Sequence, residues 1–151
     1  MKNGFIGGFR RAACVAGLVA AGLTAPALAE ENLVISIDTG PSHLQTELVR
    51  RFAEELAARS EGALTAEVFD SAQLFNSRDA GRAVARGDAG MTILTSPALS
   101  RVEANMNIFD LPMLNGLSVE DRIALVDGEL GQRLSQMVGD TLGVVVPGNW
   151  L

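Results

Sequence analysis

Short apolar, β-branched runs alternate along the chain with longer amphipathic segments, which predicts an α/β fold with a mostly parallel sheet flanked by helices. Runs at residues 33–37, 64–68, 91–94 and 142–146 have strand length and are rich in Val, Ile, Leu and Ala. The segments between them place apolar residues at helical spacing. Turn signals mark the transitions: Asp38-Thr39-Gly40-Pro41, Gly62, Gly87 and Ser96-Pro97.

The first run ends at Asp38, and Ser42 with Gln45 three residues on reads as a capping box opening the first helix. Leu44, Leu48, Phe52 and Leu56 recur every four residues in it, so this stripe is expected to face the core. Glu47/Arg51 and Glu55/Arg59 are i, i+4 pairs expected on the wet side. Gly62 supplies a C′ stop. Leu64, Ala66 and Val68 alternate with Thr65 and Glu67, as a half-buried second strand requires. A second helix is expected from about Ser77 to Arg86, stopping at Gly87, and residues 91–94 are apolar enough to form a buried third strand. Residues 108–112 should be irregular and extended, because Pro112 disfavours helix at the residue before it. Ser118 with Asp121 opens another helix, which breaks at Gly128 and resumes over residues 130–138, and residues 142–146 are expected to form a last strand. Met91, Met106 and Met113 read as core filler and not as a metal box.

Residues 1–29 read as a signal peptide: Lys2, Arg10 and Arg11 precede the apolar run at 12–21, and Ala27-Leu28-Ala29 is a small-x-small cleavage site. The run is too short to anchor the chain across a bilayer, so the mature chain is expected not to span a membrane. Arg10-Arg11 matches a twin-arginine signal only weakly, which favours the Sec route. Cleavage would leave residues 30–151 as one domain, without the lone cysteine Cys14 and hence without a disulfide. With Lys2, Arg10 and Arg11 removed, twelve basic residues become nine against eighteen acidic ones, a mature net charge of −9. That balance argues against nucleic acid and against an anionic membrane surface as partners.

Catalysis is hard to build from this inventory. His43 is the only histidine, so metal sets with two histidines fail and a Ser/His/acid triad rests on one residue. The mature chain has no lysine for a phosphate-binding loop, and no Gly-x-Ser-x-Gly elbow occurs. No cofactor is implied. Asp70, Asp79 and Asp88 read as solvated acidic surface, and Arg78, Arg82 and Arg86 as a solvated helix stripe. The candidate site lies instead where strands end, because open α/β sheets bind ligands beyond the carboxyl ends of their strands. Asp38, Thr39 and His43 follow the first run, Ser77 opens the second helix, and Thr95 and Ser96 follow the third run. Free N–H groups and the positive end of a helix dipole at such a place suit an anion or a polar ligand group. Ser42 reads as a cap rather than a contact.

Seven landmarks occur in order: Thr39-Gly40-Pro41-Ser42-His43, Phe52-Ala53-Glu54-Glu55-Leu56, Ser60-Glu61-Gly62, Val68-Phe69 with Gln73-Leu74, Arg86-Gly87-Asp88, Phe109-Asp110-Leu111-Pro112 and Gly128-Glu129-Leu130-Gly131. Together they resemble the dicarboxylate-type solute-binding proteins of tripartite ATP-independent periplasmic (TRAP) transporters. The resemblance implies a class II periplasmic-binding-protein-like lobe, the N-terminal half of a clamshell that captures a small organic acid such as a dicarboxylate or sugar acid. It also implies a periplasmic location, delivery to TRAP membrane permease subunits, and no enzymatic activity. The family is about twice as long as residues 30–151, so the second lobe is expected to be missing, and with it the arginine that clamps a substrate carboxylate. Phe75-Asn76 stands where the family commonly has glycine, and Thr95 where some members have an acidic or polar ligand contact. Two other classes compete: a stand-alone oligomeric sensing or interaction domain using an exposed sheet edge, and a small α/β hydrolase built on His43.

Overall fold

The computed structural model describes residues 31–149; the expected leader and residues 150–151 lie outside them. Strand β1 (Glu31–Ser36) pairs in parallel with β2 (Leu64–Phe69) on one side and β3 (Met91–Thr92) on the other, giving the order β2-β1-β3. Register runs from Glu31 opposite Leu64 to Ser36 opposite Phe69, and Ile35 stands opposite Met91. This is the α/β lobe with a parallel sheet that the alternation predicted. β3 is shorter than expected, because only Met91 and Thr92 align with β1 before the chain turns into helix α3 (Ser96–Leu99).

Helix α1 (Leu44–Arg59) connects β1 to β2 and covers the sheet face that carries Leu33, Ile35, Ile37, Ala66, Val68, Met91 and Ile93. It docks through Val49, with Thr46 also buried, and not through the predicted stripe: Leu44 is 66% and Phe52 38% exposed. The physical reason is size. Thr46, Val49 and Ala53 share one flank and let the helix axis approach the sheet closely, whereas the larger leucines and Phe52 would hold it away. The cap also shifts by one residue. Gly40 accepts from the His43 N–H at 3.0 Å, which keeps Ser42 within the turn, and His43 Nδ1 accepts from the Gln45 N–H at 3.2 Å. At the other end Ser60 is the C-cap, Glu61 and Gly62 take positive φ of 53° and 83°, and the Gly62 N–H bonds Ala57 O at 2.9 Å. Gly62 therefore lies two residues beyond the cap.

Helix α2 (Ala80–Arg86) buries Ala80, Gly81 and Ala83 and stops at Gly87 in the left-handed region, as expected, but residues 77–79 form the turn before it. Beyond α3 the chain forms two 3₁₀ segments, Ala104–Asp110 and Pro112–Leu114. Only Leu111 between them is extended, with φ −69° and ψ 133°, as its place before proline requires. The expected extended segment is thus mostly helical, and that winding carries Met106, Ile108 and Phe109 onto one cluster. Helices α4 (Val119–Asp127) and α5 (Glu129–Leu142) meet at Gly128, and Ser118 Oγ accepts from the Asp121 N–H at 3.1 Å, the predicted cap.

α5 supplies a second core: Leu134 and Val138 pack with Met106, against Leu99, Phe109, Leu130 and Leu142. The last predicted strand does not form. Leu134, Val138 and Leu142 keep helical spacing, so α5 runs on to Gly143, whose φ is +70°. The valines that follow have no strand beside them among the described residues, and β propensity without a pairing partner makes no strand. Instead Val146 packs back onto the second core, and Asn149 bonds Ser135 Oγ at 3.2 Å and Val126 O at 3.1 Å. Met106 and Met91 are core residues as expected; Met113 is 78% exposed, because its short 3₁₀ turn stands off both clusters.

Candidate functional site

All three strands run the same way, so their carboxyl ends share one edge of the sheet. From β1, the central strand, the chain leaves through α1 to β2 on one side and then crosses through α2 to β3 on the other. Loops after β1 and β3 therefore diverge, which makes the gap between these two tips the topological switch point where α/β sheets take ligands. Asp38 and Thr39 stand on one side of it, Thr95 and Ser96 on the other.

Hydrogen bonds show how free each candidate is. Asp38 is exposed and makes no ion pair among the described residues. Thr39 Oγ1 shares a 2.8 Å hydrogen bond with Thr46 Oγ1, which also donates to Gly40 O at 2.8 Å, so this hydroxyl braces the loop onto α1. His43 uses Nδ1 for its cap while the ring stays exposed. Thr95 is exposed at the N-cap of α3 without a side-chain cap bond. Ser96 Oγ donates to Asp110 Oδ1 at 2.9 Å, joining the β3 tip to the 3₁₀ segment. Ser77 is half-buried in the turn before α2.

Asp70 and Arg50 also belong to this edge, and sequence reading missed them. Asp70 lies just past β2 at 7% exposure, not on a solvated surface, and its Oδ2 pairs with the Arg50 guanidinium. Its Oδ1 accepts from Ser71 Oγ at 2.9 Å and Gln73 Nε2 at 3.3 Å. Ser71 and Ala72 follow with positive φ of 54° and 56°, a conformation that costs non-glycine residues about 1 kcal/mol or more each. Bonds from the Ser71 N–H to Thr39 O at 2.9 Å and from the Ala72 N–H to Ile37 O at 3.1 Å hold the turn there and weld the β2 tip to the β1 tip. A signal existed only in part: an aspartate just past a strand is a common turn residue, but nothing local marks Arg50, twenty positions earlier, as its partner. Asp88 remains exposed beside Arg86, as expected, and Asp79 accepts from Asn76 Nδ2 at 3.0 Å.

Two clefts lie away from this edge. One, of about 830 Å³, runs between α5 and the segment after Gly143; the other, of about 810 Å³, runs along the outer face of α1. Neither includes a predicted site residue. The sheet edge carries hydroxyls, an imidazole and a carboxylate, groups that can hydrogen-bond a polar ligand. No cluster of three or more His, Cys, Asp or Glu among the described residues could hold a metal ion.

A family model described as bacterial extracellular solute-binding protein, family 7, matches residues 35–144. An uncharacterized protein of Haemophilus influenzae is 27% identical over 115 residues, covering 74% of this chain and 34% of that protein. Among solved structures, a TRAP periplasmic solute-binding protein from Sulfurospirillum deleyianum with bound succinate is similar, with a TM-score of 0.69, 22% identity and coverage of 74% and 36% of the two chains. One from Sulfitobacter with bound β-D-galacturonate gives 0.68, 19% identity and coverage of 74% and 37%. A Bordetella pertussis extracytoplasmic solute receptor binding pyroglutamic acid gives 0.69, 23% identity and coverage of 76% and 37%. The chain thus spans about a third of the length of the relatives it matches.

Proposed function

Because the chain belongs to the bacterial extracellular solute-binding protein family 7, a family of binding proteins and not of enzymes, we propose that it forms the N-terminal wall of a receptor for a small organic anion. In this reading the receptor works in the periplasm and passes its ligand to TRAP membrane permease subunits, residues 1–29 being the export signal. The observation that carries the reading is the switch point itself. The parallel order β2-β1-β3 sets Asp38 and Thr39 against Thr95 and Ser96 at the open end of the sheet, within a segment matched by the family.

Asp38, Thr39, His43, Ser77, Thr95 and Ser96 are the contacts this wall offers. The Ser77 and Thr95 hydroxyls and the ring N–H of His43 can donate to carboxylate or hydroxyl oxygens, while Thr39 and Ser96 spend their protons on Thr46 and Asp110 and can only accept, which sets the orientation of the ligand. Charge pairing is a different matter. Arg50, a cation at this edge, is committed to Asp70 and so is not free to pair with a carboxylate of the ligand. A single wall also leaves much of a ligand in water, and binding depends on removing that water. The chain alone is therefore expected to bind succinate, galacturonate or pyroglutamate weakly, with a dissociation constant of about 1 mM or above.

Calorimetry and amide NMR test both halves of the reading. At micromolar protein, titration with these acids should give no saturable heat; at tens of millimolar ligand, amide shifts should move at Thr39, His43, Ser77 and Thr95. Tight one-to-one binding would overturn the half-site, and shifts confined to the α5 cleft would overturn the location.

A further inference from the structure

We propose that α1 is an interface between two copies of this chain, which meet antiparallel about a two-fold axis across their exposed helix faces. The sheet leaves an apolar stripe of α1 uncovered, away from the strand tips. Leu44, Leu48 and Phe52 are all exposed, and Leu64 at the start of β2 adds to the same surface. Leu48, Phe52, Leu56 and Leu64 line the groove of about 810 Å³ along the outer face of α1, and Leu44 continues the stripe one turn before it. Apolar side chains grouped in this way on one helix face mark a surface that gains by being covered.

Charge decides what covers it. Glu47, Arg51, Glu55 and Arg59 recur every four residues, each one position before a member of the series Leu48, Phe52, Leu56 and Ser60. The charged row therefore runs beside the apolar row, about 100° around the helix. Its signs alternate: minus, plus, minus, plus. Reversing the direction of such a row turns it into its complement, so an antiparallel copy sets Arg51 opposite Glu55, and Glu47 opposite Arg59, twice over by symmetry. A parallel copy would carry this row to the far flank of the partner helix, away from its own copy. An isologous contact is self-complementary only in the first arrangement.

These charges are available. Glu47 makes no ion pair among the described residues, and the Arg51 and Arg59 side chains are 75% and 82% exposed. Both arginines share the single carboxylate of Glu55 within their own helix, at 3.4 and 2.9 Å. Exposed intrahelical pairs hold their partners weakly, so re-pairing across an interface costs little. A face about 24 Å long is a small contact, at the low end of specific interfaces, and should give a dissociation constant of roughly 1–100 µM.

Sedimentation equilibrium on the purified chain tests the proposal, with Arg51→Glu and the exchange Arg51→Glu/Glu55→Arg as variants and far-UV circular dichroism as a control for folding. A monomer–dimer equilibrium is expected that Arg51→Glu weakens roughly tenfold or more and that the exchange restores to within about threefold, since the exchange again sets unlike charges across the axis. A chain that is monomeric up to about 200 µM, well above the range given for the contact, or that associates only with a different polypeptide, overturns it. So does a dimer indifferent to Arg51→Glu, or one that the exchange fails to restore.

Discussion

Asp70 shows how much one side chain can decide. Placed just past β2, it accepts from Arg50, Ser71 and Gln73 and so holds two left-handed residues in a turn that bonds the β1 tip at Ile37 and Thr39. A carboxylate can do this because it offers several lone pairs to donors arriving from different directions. Arg50 is half exposed, which screens part of the pair, so the expected cost of Asp70→Ala is about 2 kcal/mol, most of it from charged hydrogen bonds at a buried position. The midpoint of urea unfolding should fall accordingly. The amide resonances of Ile37, Thr39 and Ala72 should shift together, because the turn that joins them loses its anchor; unchanged resonances there would contradict the role given to Asp70.

Individual elements follow local rules where the chain ends them and tertiary rules where they pack. Ser118 caps α4 through the Asp121 N–H and Gly87 ends α2 in the left-handed region, both readable from residue type, whereas Gly143 ends α5 inside the run expected to be a strand. α1 behaves differently: its residues fix that it is a helix but not which side docks. Periodicity marked the leucines and Phe52, yet the sheet took the flank of Thr46, Val49 and Ala53, where small side chains allow close approach. A cap can be weighed alone, and Ser118→Ala should cost about 1 kcal/mol. Faster hydrogen exchange in the first turn of α4, with β1 and β2 unaffected, would be its signature.

The described residues form two cores and not one. Ile35, Ile37 and Val49 centre the first, between sheet and α1; Met106, Leu134 and Val138 centre the second, beneath α5. α2 lies between them, with Leu94 and Leu142 both close to Gly81. Two clusters with so narrow a join are expected to open separately, since sub-global units follow the distribution of buried contacts. Val138→Ala should cost about 2 kcal/mol by leaving a cavity. Hydrogen exchange should then rise across Ala104–Asp110 and α5 while protection in β1 and β2 is retained. Uniform loss of protection along the chain would mean a single cooperative unit.

From residues alone came the class of fold, the approximate places of the three strands, and the stops of α2 at Gly87 and α4 at Gly128, because alternation, caps and turn glycines are local chemistry. The candidate wall was legible to the same extent: Asp38, Thr39, Thr95 and Ser96 do lie at the tips of β1 and β3. Only the fold decided that Asp70 is buried on Arg50, that the apolar stripe of α1 faces outward, that Met113 stands in solvent, and that the final valines lie beside α5 without forming a strand. Each of these depends on what arrives from a distant part of the chain. Burial, ion pairing and strand pairing are properties of two segments at once, and a local pattern describes only one of them.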